Sequence, residues 1–302
     1  MSNLLSNLTV IILTYKTNSQ ILSDCIKSID KSVNINLIEN SDSFAHKDLI
    51  KNINKDVNIF CTGKNLGYGG GNNFGLKKTK TKYALILNPD VICDENYFLN
   101  IQKYINDKIN FTIIGSQYKK DKIFMPAGFF DTSKDKDFKK NFSLGAIEEL
   151  TDVEWVVGCS MLINLDKFNE KEIFDENFFL YFEEFDLCKQ ISKAGGKILS
   201  SKLLLVDHLG FKGSFAANKD LENQATKLRN WHWMWSSFYY YKKNDGYLYA
   251  LKKTIGKFIK SFLKAIYFSI IYNNHKRTMY LYRFLGLFNS IIGKKSWFRI
   301  NF

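Results

Sequence analysis

The chain has 302 residues, 45% of them apolar, with a formal net charge of +13. This is enough for one large domain or two smaller ones, and two prolines with no low-complexity tract exclude long disordered linkers. Cys25, Cys61, Cys93, Cys159 and Cys188 are scattered and form no Cys-x-x-Cys pair, which excludes a structural zinc site of that spacing and suits a reducing compartment.

Leu8-Thr9-Val10-Ile11-Ile12-Leu13 is apolar and β-branched, as a strand covered on both faces should be. No basic stretch precedes it, so no secretory signal is expected. It runs into Thr14-Tyr15. Ile21, Leu22, Cys25, Ile26 and Ile29 then fall at helical spacing. Ile35 to Ile38 reads as a second strand, ending in Glu39-Asn40-Ser41, and Val57 to Phe60 as a third.

Asn65 to Gly75 is the densest glycine cluster and opens the next helix. Two readings stay open for it: a phosphate cradle of bare helix-start N–H groups, or a flexible turn. It matches neither the dinucleotide fingerprint nor a P-loop, because Asn72 stands where the last glycine belongs and no Gly-Lys-Ser/Thr follows.

Tyr83-Ala84-Leu85-Ile86-Leu87 is a further buried strand, and Asn88-Pro89-Asp90 stops it, since proline has no N–H for a sheet ladder. Asp90 is thereby expected at the carboxyl end of a central strand, where open α/β sheets bind ligands. Strands alternating with helices over these 90 residues predict a parallel sheet with helices on both faces.

Asp131 to Lys140 is charged and reads as a surface loop, and Trp155 to Ile163 as another buried strand. Phe174 to Asp186 then sets Glu183, Glu184 and Asp186 directly after a run of aromatics, with a helix to follow that stops at Gly195-Gly196. Acids at a helix start can simply complement the macrodipole. Beside apolar surface they also gain a raised pKa, which suits a general base. Leu203 to Val206 is the last strand expected, ending in Asp207-His208.

The charge is uneven. Residues 241–302 hold thirteen Lys and Arg against one acid, Asp245, so the first 240 residues are close to neutral. On a helix, Lys253, Lys257, Lys260 and Lys264 fall within roughly 60° of one another, with Ile255, Phe258, Ile259, Phe262 and Ile266 opposite. No uncharged run reaches membrane-spanning length. The tail therefore reads as an interfacial helix on anionic lipid, or as a helix packed on the rest of the chain with a solvated lysine face. A basic face with aromatics would also serve nucleic acid, but no recognition motif appears and none is expected to bind.

In order along the chain stand Thr14-Tyr15 after an apolar strand, Glu39-Asn40-Ser41, Asn65-Leu66-Gly67-Tyr68 with Asn73-Phe74-Gly75, and Leu87-Asn88-Pro89-Asp90. Gly158-Cys159-Ser160-Met161-Leu162-Ile163, the Phe174–Cys188 stretch and a strand ending in His208 follow. This ordered set resembles the bacterial family 2 glycosyltransferases of GT-A fold, in particular their rhamnosyltransferase-like members. It covers the chain from about residue 8 to about residue 214.

The resemblance implies a Rossmann-like, mostly parallel α/β sheet with helices on both faces, and a role for each matching residue. Tyr15 would lie against the nucleobase, with Thr14 and Glu39 near base and ribose. Asn65, Gly67 and Asn73 would line the nucleotide-sugar. Asn88 stands at the first position of the family's Asp-x-Asp and Asp90 at the last, where a divalent cation, Mg or Mn, is held. His208 matches the histidine of that metal site. Glu184 falls where the family has its catalytic Asp, with Glu183 as the competing carboxylate and Asp186 supporting the helix start. Glu39 and Glu184 are each one methylene longer than the family's Asp.

The expected protein is an inverting, metal-dependent glycosyltransferase. It would move a sugar from a dTDP- or UDP-linked donor to a hydroxyl of a polysaccharide or lipid-linked glycan. Residues 1–215 would form the catalytic domain and 216–302 a basic, aromatic-rich helical region on the cytoplasmic face of an anionic inner membrane. Sugar, acceptor and oligomeric state, a homo-oligomer included, stay open. The competing class is a non-catalytic membrane- or nucleic-acid-binding protein on the same scaffold.

Overall fold

The computed structural model describes residues 4–106, 109–119, 126–143, 148–209 and 219–300. In chain order its elements are β1 (Leu8–Thr14), α1 (Ser19–Lys27), β2 (Asn34–Glu39), α2 (Lys47–Ile53), β3 (Asn58–Cys61), α3 (Gly67–Lys78), β4 (Tyr83–Leu87), β5 (Val91–Cys93), α4 (Tyr97–Asn106), β6 (Ile113–Tyr118), β7 (Ala127–Gly128) and α5 (Thr132–Ser143). Then come β8 (Leu150–Asp152), β9 (Trp155–Val156), β10 (Ser160–Asn164), α6 (Glu183–Lys193), β11 (Ile198–His208), α7 (Lys219–Asp245), α8 (Tyr247–Ile270) and α9 (Asn274–Ile291).

The chain divides into two compact units. One holds the sheet: residues 1–66, 70–174 and 187–214. The other holds residues 215–302 and takes in 67–69 and 175–186 from earlier in the chain. The division expected at residues 215/216 falls outside the described residues.

In the first unit the strands run β3-β2-β1-β4-β10-β6-β11-β5, with β8 beside β11. β7 and β9 form a separate pair. β3, β2, β1 and β4 are mutually parallel, the arrangement that alternating strands and helices enforce. β10 enters antiparallel between β4 and β6. Alternation along β1 divides the core. Val10 and Ile12 point to a cluster with Leu22, Cys25 and Ile26 of α1, Ile50 of α2 and Tyr97, Phe98 and Ile101 of α4. Ile11 and Leu13 point the other way, to α3. Each fully buried aliphatic side chain among these contributes about 1.5–3 kcal/mol.

The glycines of α3 are explained by that second face. A Cβ on Gly71 would stand 2.4 Å from the Leu13 side chain, and one on Gly75 2.6 Å from that of Ile11. The helix lies so close to the sheet that a methyl group would not fit. These two glycines therefore serve helix–sheet packing, a role distinct from both a cradle and a turn.

Three local expectations change. Asp131 to Lys140 is mostly helix, not loop: Asp131 accepts from the N–H groups of Ser133 and Lys134, and Asp135 pairs with Lys139 one turn on. Its charges keep it largely solvated, which is why its composition imitates a loop. Trp155 to Ile163 is two strands with a turn between, β9 pairing β7 and β10 joining the main sheet. The strand at Leu203–Val206 begins earlier, at Ile198, with an irregularity between Ser200 and Leu205.

The second unit is built on α7, which packs against α8 and α9. Met234, Phe238, Ala250 and Leu287 form its centre. Gly286 lets α9 approach closely, since a Cβ there would meet the backbone of Trp231. The segment after α9 returns to α7: Trp235 Nε1 donates to the Lys294 carbonyl at 2.9 Å, and His232 Nε2 lies 2.9 Å from that of Phe298. No helix among the described residues is long and apolar enough to cross a membrane.

Candidate active site

Three groups of predicted residues can be followed. The first is at the carboxyl ends of β1 and β2, where Thr14 and Glu39 are register partners. Glu39 is buried, and its carboxylate accepts from Thr14 Oγ1 (2.7 Å), Ser41 Oγ (2.7 Å) and the Lys16 N–H (3.3 Å). Three donors on one carboxylate fix its orientation at the strand end. Asn40 beside it is a junction: its Oδ1 accepts from the Leu66 N–H and Thr62 Oγ1, and its Nδ2 donates to Asn65 Oδ1 at 3.1 Å. Tyr15 is half-buried beside this network. Asn73 lies elsewhere, fully buried in α3, with its amide bonded to both the N–H and the carbonyl of Phe174.

The second group is at the ends of β4 and β11. β11 runs antiparallel to β5, and the register His208↔Val91 sets His208 next to Asp90. His208 Nε2 is 3.5 Å from Asp90 Oδ1, and the Leu209 N–H donates to the Asp90 carbonyl at 3.0 Å. Asp90 is 3% exposed and His208 half-buried, with its ring 5.3 Å from that of Tyr118. The Val91 N–H closes the Asn88-Pro89-Asp90 turn on the Asn88 carbonyl. A hard carboxylate oxygen and an imidazole nitrogen suit Mg or Mn. Among the described residues no third His, Cys, Asp or Glu joins them. That set fits a cation whose remaining ligands come from the substrate.

The third group lies on the acidic segment. Glu183, Glu184 and Asp186 occupy the first turn of α6, which begins at Glu183. Just before it Tyr181 and Phe182 have φ of 69° and 72°, a left-handed conformation unusual for aromatic residues. Such residues cost about 1–3 kcal/mol each and persist only where their surroundings dictate them. Here α7 does so. Phe182 packs on Trp233 and Tyr240, Tyr181 on Trp233, and Ser236 Oγ donates to the Leu180 carbonyl at 2.9 Å. Gly67, at φ +80°, also belongs here, since a Cβ on it would strike the Phe179 carbonyl.

The two glutamates differ. Glu183 is 2% exposed, and its Oε2 has no hydrogen-bond partner among the described residues. Burial and the neighbouring Glu184 charge hold its pKa well above the usual carboxylate range. Glu184 is half-buried, and burial pushes its pKa up to about 7. Asp186 is tied down: Lys243 Nζ is 2.6 Å from Oδ2 and Asn244 Nδ2 donates to Oδ1 at 2.9 Å. The same lysine reaches Asp175 at 2.7 Å, where Tyr239 also donates.

Asn40, Lys243, Asn244 and Tyr239 are the residues that sequence reasoning missed. Asn40 had a signal, its place in the Glu39-Asn40-Ser41 strand end. Lys243 had none, being one of many lysines far along the chain.

A sheet of this topology, carrying a carboxylate and an imidazole at its strand ends, is of the α/β class whose members bind ligands at the carboxyl edge. The chain belongs to glycosyl transferase family 2, whose sequence model matches residues 9–170, more than half of its length. It is 23% identical over 235 residues to the low-salt glycan biosynthesis hexosyltransferase Agl10 of Haloferax volcanii, covering 73% of this chain and 75% of that one. It is 28% identical over 159 residues to the rhamnosyltransferase WbbL of Escherichia coli K12, covering 46% of this chain and 59% of the relative. Among solved structures it is similar to the mannosyltransferase PcManGT of Pyrobaculum calidifontis in complex with GDP-Man and Mn2+. That match has a TM-score of 0.52 and 12% identity and covers 94% and 87% of the two chains, a likeness of fold. The protein is a glycosyltransferase of GT-A fold with an added helical region.

Proposed function

We propose that this glycosyltransferase moves a hexose from a dTDP- or UDP-sugar to a hydroxyl of a glycan or lipid-linked glycan, in one inverting displacement. The observation that carries the reading is the pairing of Asp90 with His208 at the strand ends, 3.5 Å apart. It is the natural seat of a diphosphate-bound cation. Thr14, Tyr15, Glu39 and Asn88 would position the nucleotide, with Asn40 and Asn65 fixing the loop behind Glu39. Asn73, its amide engaged by Phe174, would hold the start of the acidic segment and so act on the donor indirectly.

In the transfer, the acceptor oxygen attacks the anomeric carbon while the bond from that carbon to the diphosphate oxygen breaks. The acceptor proton passes to Glu184, and the nucleoside diphosphate leaves with the bonding electrons. Only partly buried and with its pKa near 7, Glu184 combines some access with basicity. Glu183 is sealed from solvent, which disfavours it as the base. A divalent cation held by Asp90 and His208 would offset the charge developing on the leaving diphosphate.

The basic residues beyond Tyr241 would keep the enzyme at the cytoplasmic face of an anionic membrane, near a lipid-linked acceptor. The test is to follow donor hydrolysis and transfer with a panel of nucleotide-sugars in wild type and in Glu184→Gln. Donor binding should survive the substitution and transfer should not. Full transfer by Glu184→Gln, with none by Glu183→Gln, would reassign the base.

A further inference from the structure

We propose that α8 is an anchor that sinks its apolar face into the headgroup–acyl boundary of an anionic bilayer, with its lysines reaching up beside it to the phosphates. The inference deepens the membrane reading above and is independent of the sugar chemistry.

The observation is an inverted helix. At about 100° per residue α8 has three faces. The face toward α7 and α9 carries mostly small residues: Ala250, Thr254, Ser261 and Ala265 are buried, and of the large ones Leu251, Phe258 and Phe268 turn in, Phe258 packing on Phe284 at 4.8 Å and Phe268 stacking on Tyr280 at 5.6 Å. The broadest apolar face points away. Leu248 is 81% exposed, Leu263 58% and Ile270 69%, with Ile255, Ile259, Phe262 and Ile266 between them. An ordinary surface helix does the opposite. A contiguous exposed apolar stripe of this kind marks an interaction site.

The charges say which partner covers it. Lys253, Lys257, Lys260 and Lys264 form a band alongside the apolar face, and Lys252 lies within it. From Gly246 to Phe302 the sequence holds eleven Lys and Arg and no acid. A second copy laid face to face would bring like bands together, with no carboxylate on that stretch to neutralise them. Anionic lipid supplies both a place for the aliphatic side chains and counter-charge for the band. Lysines recur from Lys252 to Lys264 through the middle of the helix, so it can lie in the interface but not span. Lysine stems suit that position, because they cover apolar surface while the ammonium stays wet. Tyr249, Tyr267 and Tyr272, all exposed, are the amphipathic rings that favour the same depth.

The test is co-sedimentation of the full-length protein with phosphatidylcholine vesicles containing 30% phosphatidylglycerol, at 0.1 M and 1 M NaCl. Wild type should bind at 0.1 M and retain part of that binding at 1 M, where charge is screened. Ile259→Gln/Leu263→Gln should lower the partition coefficient at least tenfold and lose the salt-resistant fraction. Lys253→Gln/Lys260→Gln should keep that fraction and lose the preference for anionic lipid. Both changes lie on exposed positions, and unchanged donor affinity in both variants would separate loss of the anchor from loss of the transferase fold. Wild type that ignores these vesicles at 0.1 M, or an Ile259→Gln/Leu263→Gln variant that binds like wild type, overturns the proposal. A lipid-free dimer that this variant breaks into monomers, seen by sedimentation velocity, also overturns it and assigns the face to a second copy.

Discussion

Glu183 and Glu184 are adjacent on one helix turn, and their environments separate them. Glu184 has access to solvent, so the general-base role predicts a rate that falls as the pH drops through about 7, where its carboxylate takes up a proton. A pH profile of kcat/KM for wild type should show that ascending limb. Glu184→Gln should lose about 10²–10⁴ in kcat with donor affinity intact, the usual cost of removing a base. Glu183 is a stability matter. Its folded pKa is raised, so the native state holds a proton that the unfolded chain releases above the ordinary carboxylate range. Stability should therefore be highest at low pH and decline as the pH rises from that range toward the folded pKa. Thermal melts from pH 5 to 9 should show this slope in wild type and a shallower one in Glu183→Gln. An equal slope in both would remove Glu183 from the account.

At the scale of elements, the acidic segment is held in its strained form by α7. Lys243 bridges Asp175 and Asp186. Burial pulls the lysine's pKa down, yet its bonds to both aspartates outweigh this and raise it overall. Lys243→Met would leave the aspartates facing one another, at a cost of about 1.5–3 kcal/mol for a charged hydrogen-bond partner lost. In kinetics kcat should fall more than the donor KM rises, because Glu184 lies on the held segment, and Lys243→Arg should restore part of kcat. An unchanged kcat in Lys243→Met would show that α7 only stabilises. None of this was legible in the sequence. A lysine gives no sign of its partner when that partner is 57 residues away. The strands were legible, since β1, β2 and β4 are apolar runs cut off by polar turns and strand ends gather ligand-binding residues. The glycines of α3 were visible as a cluster but misleading in purpose, because close packing against β1 leaves no local signature. In α8 the apolar and basic faces could be read from spacing. Which face the protein covers could not, because small residues make the seam.

For the whole molecule, Thr14, Glu39, Asn40, Asp90 and His208, proposed for the donor, all belong to the unit containing the sheet, and Glu184, proposed as the base, belongs with the basic helices to the other. The helical unit is not a detachable tail. Trp231 and Phe238 of α7 are fully buried, and Met234, Phe238 and the Trp231 backbone meet residues of α8 and α9. Removing residues 247–302 should expose that stripe, so the truncated chain should aggregate or melt far below wild type. A monodisperse truncation product with wild-type melting would contradict the packing described.

The central claim is that Asp90 and His208 bind a sugar nucleotide through a divalent cation. It is tested most directly by calorimetric titration of UDP- and dTDP-sugars into wild type, Asp90→Ala and His208→Ala, each with Mn2+ and after chelation. For at least one donor the account predicts wild-type binding that weakens at least about tenfold on chelation, a loss of about 1.4 kcal/mol. It predicts that Asp90→Ala binds weakly in both conditions. Equal Mn2+-dependent affinity in wild type and Asp90→Ala would contradict it.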